Sequence, residues 1–240
     1  MQKIGLLLIG CLCSVAMLSG QSYAFGIKGG MTIGVQQWNS FEQDPLFKYH
    51  GIAFIESAPE DEAFAVFAQL GYHVKGSAIR NRNFVNPRNN EIFRLPTQEF
   101  QFHNISLTAG GKQKYDFGIK SKAYYLIGVR GDYTVDTNLE EYEDAFNISA
   151  IFPVEPFVNR FNFGVTVGGG LEFPFSELIG GILEVTVNPD FSRQYEQPQI
   201  NNIINPFTSQ NRTIPERLIR NITFEVSLGL RFLNKVIYID

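Results

Sequence analysis

Apolar side chains recur at every second residue in segment after segment of this sequence, and no other feature restricts its fold as tightly. Successive side chains of a strand point to opposite faces, so a period of two marks a strand with one apolar and one polar face. Phe25, Ile27, Met31, Ile33 and Val35 alternate with Lys28, Gly30, Thr32 and Gly34. Phe64, Val66, Ala68, Leu70, Tyr72 and Val74 alternate with Gln69, Gly71, His73 and Lys75. Ala123, Tyr125, Ile127, Val129 and Tyr133 oppose Gly128, Arg130 and Asp132. Phe161, Phe163, Val165, Val167 and Leu171 oppose Asn162, Gly164, Thr166, Gly168 and Gly170. Leu183, Val185 and Val187 oppose Glu184, Thr186 and Asn188, and Ile222, Phe224, Val226, Leu228, Leu230 and Phe232 oppose Thr223, Glu225, Ser227, Gly229 and Arg231. With a weaker run from His50 to Glu56 and a less regular one from Phe100 to Gly110, the pattern predicts eight strands.

The connections read from this pattern alternate in length. Residues 36 to 47, 79 to 98, 136 to 156 and 192 to 217 are long and polar, 57 to 62 and 173 to 178 are tight, and 111 to 120 is intermediate. An up-and-down meander places the long loops at one end and the short turns at the other. The expected fold is all-β, an eight-stranded antiparallel up-and-down transmembrane β-barrel. A soluble lipocalin-like barrel that binds a ligand also has eight strands, but it turns its apolar face inward. Three features favour lipid outside. Glycines gather on the polar face, where side chains would converge in a narrow lumen; strands of roughly ten tilted residues match a hydrocarbon band; and closure leaves no edge unpaired. Tyr125, Tyr133, Phe161, Phe163 and Phe232 fall near strand ends, as an interfacial aromatic girdle requires.

The first 24 residues have the layout of a secretory signal peptide: Lys3, an apolar stretch from Ile4 to Leu18, then Ser22, Tyr23 and Ala24 before a cleavage at Phe25. Residues 25–240 then form one barrel domain, bound for a bacterial outer membrane. Leu8, Ile9, Gly10 and Cys11 resemble a lipid-attachment sequence, but the apolar segment continues past Cys11 instead of giving way to a polar tether. Cys11 and Cys13 are the only cysteines, so the mature part carries no disulfide framework and no thiolate site. Taking Lys3 from the 20 basic residues leaves 19 against 24 acidic ones, a net charge of -5 that argues against nucleic acid as a partner.

The polar face carries Lys28, Thr32, Gln69, His73, Lys75, Arg130, Asp132, Glu184, Thr186, Asp190, Glu225 and Arg231. Lys28, Lys75, Arg130 and Arg231 balance Asp132, Glu184, Asp190 and Glu225. An eight-stranded barrel encloses side chains and little else, and charges far from bulk water must pair. These residues are therefore expected to form a structural network that plugs the lumen. Catalytic chemistry finds little footing. His103 and Ser106 are three apart and so lie on opposite faces of a regular strand, His73 reads as a lumen hydrogen-bonder, and His50 sits near a predicted strand end. Three scattered histidines have no metal-ligand spacing, and the glycine clusters precede no helix, so no cofactor is expected and the chain does not read as an enzyme. Specific binding is left to the loops. Arg80, Arg82, Arg88 and Arg94 suit lipopolysaccharide phosphates or carboxylates, and Glu140, Glu141, Glu143 and Asp144, with Asp136 beside them, suit the divalent cations that bridge that lipid. In both loops a merely solvated charged surface is the simpler reading.

The segment Phe25 to Ile33, Phe-Gly-Ile-Lys-Gly-Gly-Met-Thr-Ile, resembles the opening strand of the PorT-like outer-membrane β-barrel proteins of Bacteroidetes. Leu228, Gly229, Leu230, Arg231 and Phe232 resemble their closing strand. The resemblance implies an eight-stranded outer-membrane barrel, and the family's named member serves a protein-secretion system. No motif here marks that secretion role. Eight residues, Leu233 to Asp240, follow Phe232, whereas many such barrels end on the aromatic of the last strand. The expected partners are outer-membrane lipids and lipopolysaccharide, with other envelope proteins second, and the barrel is expected to stand as a monomer.

Overall fold

The computed structural model describes residues 22–39, 42–58, 63–80, 83–85, 92–94, 96–118, 120–142, 153–204 and 210–235. Among these residues thirteen strands follow one another: β1 Tyr23–Trp38, β2 Asp44–Ser57, β3 Phe64–Ile79, β4 Asn83–Val85, β5 Ile92–Arg94, β6 Gln98–Phe117, β7 Ser121–Thr137, β8 Phe161–Pro174, β9 Ile179–Pro189, β10 Tyr195–Gln197, β11 Ile200–Ile204, β12 Asn211–Ile214 and β13 Arg217–Asn234. Eight of them form a ring in the order β1, β2, β3, β6, β7, β8, β9, β13, every neighbour antiparallel, and β13 closes it by pairing with β1 from Tyr23↔Asn234 to Trp38↔Ile219. Closure satisfies the backbone of both edges, which a spanning sheet requires. The remaining short strands belong to the long connections: β4 pairs with β5, β11 with β12, and β10 extends the β9 side of β13. Among the described residues no helix is long and apolar enough to cross a membrane.

The ring has inverted polarity. Along β7, Tyr125, Ile127, Val129 and Tyr133 are exposed, while Tyr124, Leu126, Arg130, Asp132 and Thr134 are buried. The same alternation sets Ile27, Leu70, Leu107, Phe163, Val185 and Leu228 outside and Lys28, Gln69, Thr108, Asn162, Glu184 and Ser227 inside. A soluble barrel of the lipocalin kind would show the reverse. Aromatic residues gather towards both ends of the apolar belt. At the turn end Phe25 stacks on Phe232 with centroids 5.6 Å apart, and Tyr115 meets Tyr125 at 5.8 Å. At the loop end Tyr133 pairs with Phe161 in the register. From Tyr125 to Tyr133 the strand runs about 27 Å, which a tilt near 40° converts to about 20 Å along the axis, comparable with the roughly 25 Å band of an outer-membrane barrel.

Strand bounds depart from the sequence reading in three places. The first connection is short, residues 39–43 instead of 36 to 47, and β6 runs on to Phe117 and β7 starts at Ser121, so the intermediate connection is a tight turn. Gly118 holds a φ of +76° in that turn, a conformation open to glycine and costly for most other residues. The β1 strand also begins at Tyr23, two residues before the expected cleavage point. The physical reason for the longer strands is that alternation of hydrophobicity reports only the belt in contact with hydrocarbon. Beyond it a strand such as β1 continues with polar Gln36 and Gln37 on its two faces and leaves no apolar period to read.

Candidate functional site

The lumen is filled from end to end by side chains arranged in layers. At the turn end, Glu56 of β2 accepts hydrogen bonds from Lys112 Nζ at 2.6 Å, Lys114 Nζ at 2.9 Å and Arg231 Nε at 2.8 Å, and Glu172 of β8 takes a second one from Lys114 at 3.1 Å. A recess of about 120 Å³ opens beneath this cluster, walled by Lys120, Lys122, Glu172, Arg231 and the β8–β9 turn. The next layer is an apolar septum of Phe54, Phe67, Tyr124, Leu126 and Ile182. Threaded beside it, Lys28 pairs with Glu184, and the Tyr124 hydroxyl donates to Glu184 at 2.7 Å. Gly170 makes room for that phenol, since a Cβ there would sit 2.5 Å from the Tyr124 hydroxyl oxygen.

Above the septum two imidazoles stack, His50 on His73, with centroids 5.6 Å apart and planes 13° from parallel. His50 contacts the Thr32 hydroxyl at 3.0 Å and the Ser227 hydroxyl at 2.7 Å, while His73 Nδ1 lies 2.6 Å from Glu225. Higher still, Lys75 Nζ donates to Asp132 at 2.6 Å, and Arg130 donates to Asp132 through Nε at 3.1 Å and to Asp190 through Nη2 at 2.5 Å. Ser106 also donates to Asp132. An uncharged layer follows, in which Gln36 donates to Asn221 at 2.9 Å, Asn221 to Gln194 at 2.9 Å and Gln194 to Thr134 at 3.0 Å. The loop-end mouth is closed by a second apolar group, Ile79, Phe100, Phe102 and Leu139, with Trp38, Tyr142 and Val158 packed against it. Tyr142 fastens this lid by donating to the Glu99 carbonyl at 2.9 Å, and burial raises its phenol above the ordinary range.

All twelve residues assigned from sequence to the polar face line the interior, eleven of them buried and Arg231 partly so. Lys28, Lys75, Arg130, Arg231, Asp132, Glu184 and Asp190 each have an ionic partner within 4 Å, and Glu225 lies 2.6 Å from His73 Nδ1 and accepts from Thr186 at 3.5 Å. The ionic set is larger than the sequence reading had it: Lys112, Lys114, Glu56 and Glu172 join it, giving six cations and six carboxylates. Glu56 was hidden because its inward neighbours Ile52 and Phe54 are as apolar as the outward Ala53 and Ile55, which erases the period. Lys112 and Lys114 lie in what read as a connection; the signal was there, since Tyr115 and Phe117 continue the outward face. His50 is a correction of a different kind. It reads as a residue near a strand end, yet β2 continues to Asp44 and His50 sits at the centre of the lumen. His103 faces outward and bonds the Tyr72 hydroxyl at 2.6 Å, while Ser106 faces inward.

The loop residues are brought together less completely. The backbone of Arg80 donates to Asp44 at 2.8 Å and its guanidinium lies 5.6 Å from the Phe47 ring centroid, while Arg94 ends β5. Glu140 and Glu141 are exposed just beyond β7, and Asp136 stands before them at the end of that strand. Arg82, Arg88, Glu143 and Asp144 lie outside the described residues.

No protein-family model and no curated protein matches this chain. Among solved structures it is similar to Neisserial surface protein A, with a TM-score of 0.47, 10% identity, and coverage of 88% of this chain and 96% of that one. It is similar to the outer membrane protein OprG from Pseudomonas aeruginosa at a TM-score of 0.44 and 12% identity, covering 88% and 97%. Ail, the attachment invasion locus protein of Yersinia pestis, gives a TM-score of 0.40 and 12% identity, covering 88% and 99%.

Proposed function

We propose that this chain is an integral outer-membrane β-barrel with a plugged lumen, working as a rigid scaffold that presents its long connections to lipopolysaccharide and to other envelope proteins, and that it is neither a pore nor an enzyme. The inverted polarity of a closed eight-stranded ring carries the reading. An outer face rich in Ile, Leu, Val and Phe has no place in water at this extent, whereas hydrocarbon accepts it and demands the closure that β1 and β13 provide. The balanced ionic layers and the septum of Phe54, Phe67, Tyr124, Leu126 and Ile182 support a lumen that passes no hydrated ion. Hydrolytic chemistry has no support in the Ser227–His50 contact: the second nitrogen of His50 meets Thr32, not a carboxylate, and both residues are buried within the plug.

Fractionation of expressing cells, followed by gel electrophoresis of the extracted protein with and without boiling, tests this reading. Recovery with the outer membrane and a heat-dependent mobility shift are expected, together with no stable conductance in planar bilayers. A soluble periplasmic protein, or large steady currents, would overturn it. A second reading, a component of a protein-secretion or transport assembly, draws on the two segments that resemble PorT-like strands. They are neighbours at the closure seam, where Phe25 pairs with Phe232 and Ile27 with Leu230. Stoichiometric co-purification with other envelope proteins would favour it.

A further inference from the structure

Between the ionic layers of the lumen lies a small chamber of about 10 Å³, room for about one water-sized sphere. Its wall touches three layers at once: Glu184 of the septum level, His73 and Glu225 of the imidazole level, and Arg130 above them, with Gln69 and Thr166 among the rest of its lining. Arg130 is 4% exposed, and while its Nε and Nη2 are taken by Asp132 and Asp190, its buried Nη1 has no hydrogen-bond partner among the described residues. A buried guanidinium donor left unmatched costs more than about 1 kcal/mol, and natural interiors rarely tolerate it.

We propose that this chamber is a binding site for a single internal water, held by Arg130 Nη1 as donor and by the Gln69 amide and Thr166 hydroxyl. A buried water usually makes about three hydrogen bonds, and Arg130, Gln69 and Thr166 bring that number of polar groups to the wall. A halide fits less well, because it is larger and would face the carboxylates of Glu184 and Glu225 as well as Arg130. The inference rests on the plugged-lumen reading and adds to it: the plug is protein and one water, not protein alone.

Crystals of the full mature chain, grown with and without sodium bromide, test this directly. One density peak is expected within about 2.7–3.2 Å of Arg130 Nη1, with no anomalous signal in bromide. No peak, with Nη1 turned onto a protein oxygen, would overturn the proposal, and an anomalous peak would replace the water by an anion. In detergent micelles, a water cross-relaxation signal to the Arg130 guanidinium protons, with the sign of a slowly exchanging water, is expected from the same site. Absence of that signal counts against the water. A protein that fails the gel-shift test fails as a barrel, a result distinct from a barrel whose chamber is dry.

Discussion

Glu56 shows what a single side chain does in this lumen. Its carboxylate is the shared acceptor for Lys112, Lys114 and Arg231, so Glu56→Gln leaves three cations with Glu172 as their remaining anion. Breaking a buried ionic group by deleting one partner costs about 3–5 kcal/mol. Urea unfolding in detergent micelles should show a loss of that order, whereas Glu177→Gln in the exposed β8–β9 turn should stay within about 0.5 kcal/mol of the parent. A loss as small for Glu56 as for Glu177 would mean that water reaches the cluster. Gly170 is limited by space instead of charge. A Cβ there meets the Tyr124 phenol and the Leu183 carbonyl, and Gly170→Val should destabilise by about 1–3 kcal/mol in the same assay. At this scale the sequence was legible wherever the outward neighbours were apolar and the inward ones polar, as for Lys28, Arg130 and Glu225. It was not legible at Glu56, or at His50 where the run breaks off, because Ile52 and Phe54 between them point inward and are as apolar as their outward neighbours, so that no contrast marks the inside.

At the scale of the element, the eight ring strands were found in the right order, but several of their ends were not. Hydrophobic alternation ends with the hydrocarbon belt, while the backbone ladder continues as long as inward side chains such as Gln36, Asn221 and Gln194 bond one another. The short strands β4, β5, β11 and β12 pair only with each other and left no period of their own in the loops. This division predicts where the chain accepts additions. An epitope tag inserted between Ile204 and Asn211, within the β11–β12 hairpin, should leave the heat-dependent gel shift intact and be reached by antibody on whole cells. Antibody binding only after the cells are broken would mean that the long connections face the other way.

For the whole molecule, the account rests on a surface turned inside out. Charges and hydroxyls close the lumen in matched layers, two apolar groups seal its height, and the outside is left to lipid. The polarity pattern and the strand number carried most of this from sequence alone, whereas the alternation of connection lengths failed at the first loop, residues 39–43; the packing of the layers depended on long-range pairings that no local pattern records, such as His73 with Glu225 and Lys75 with Asp132. Because Cys11 and Cys13 fall within the expected leader, single cysteines can be placed at will in the mature chain. The most direct test is spin labelling at Ile127 and Val129 of β7, 59% and 68% exposed, in protein reconstituted into bilayers. The account predicts frequent collisions with oxygen and few with a water-soluble nickel complex at both positions, and the reverse at the exposed Arg220 near the loop end. High nickel accessibility at Ile127 and Val129 would place that face in water and contradict the membrane barrel.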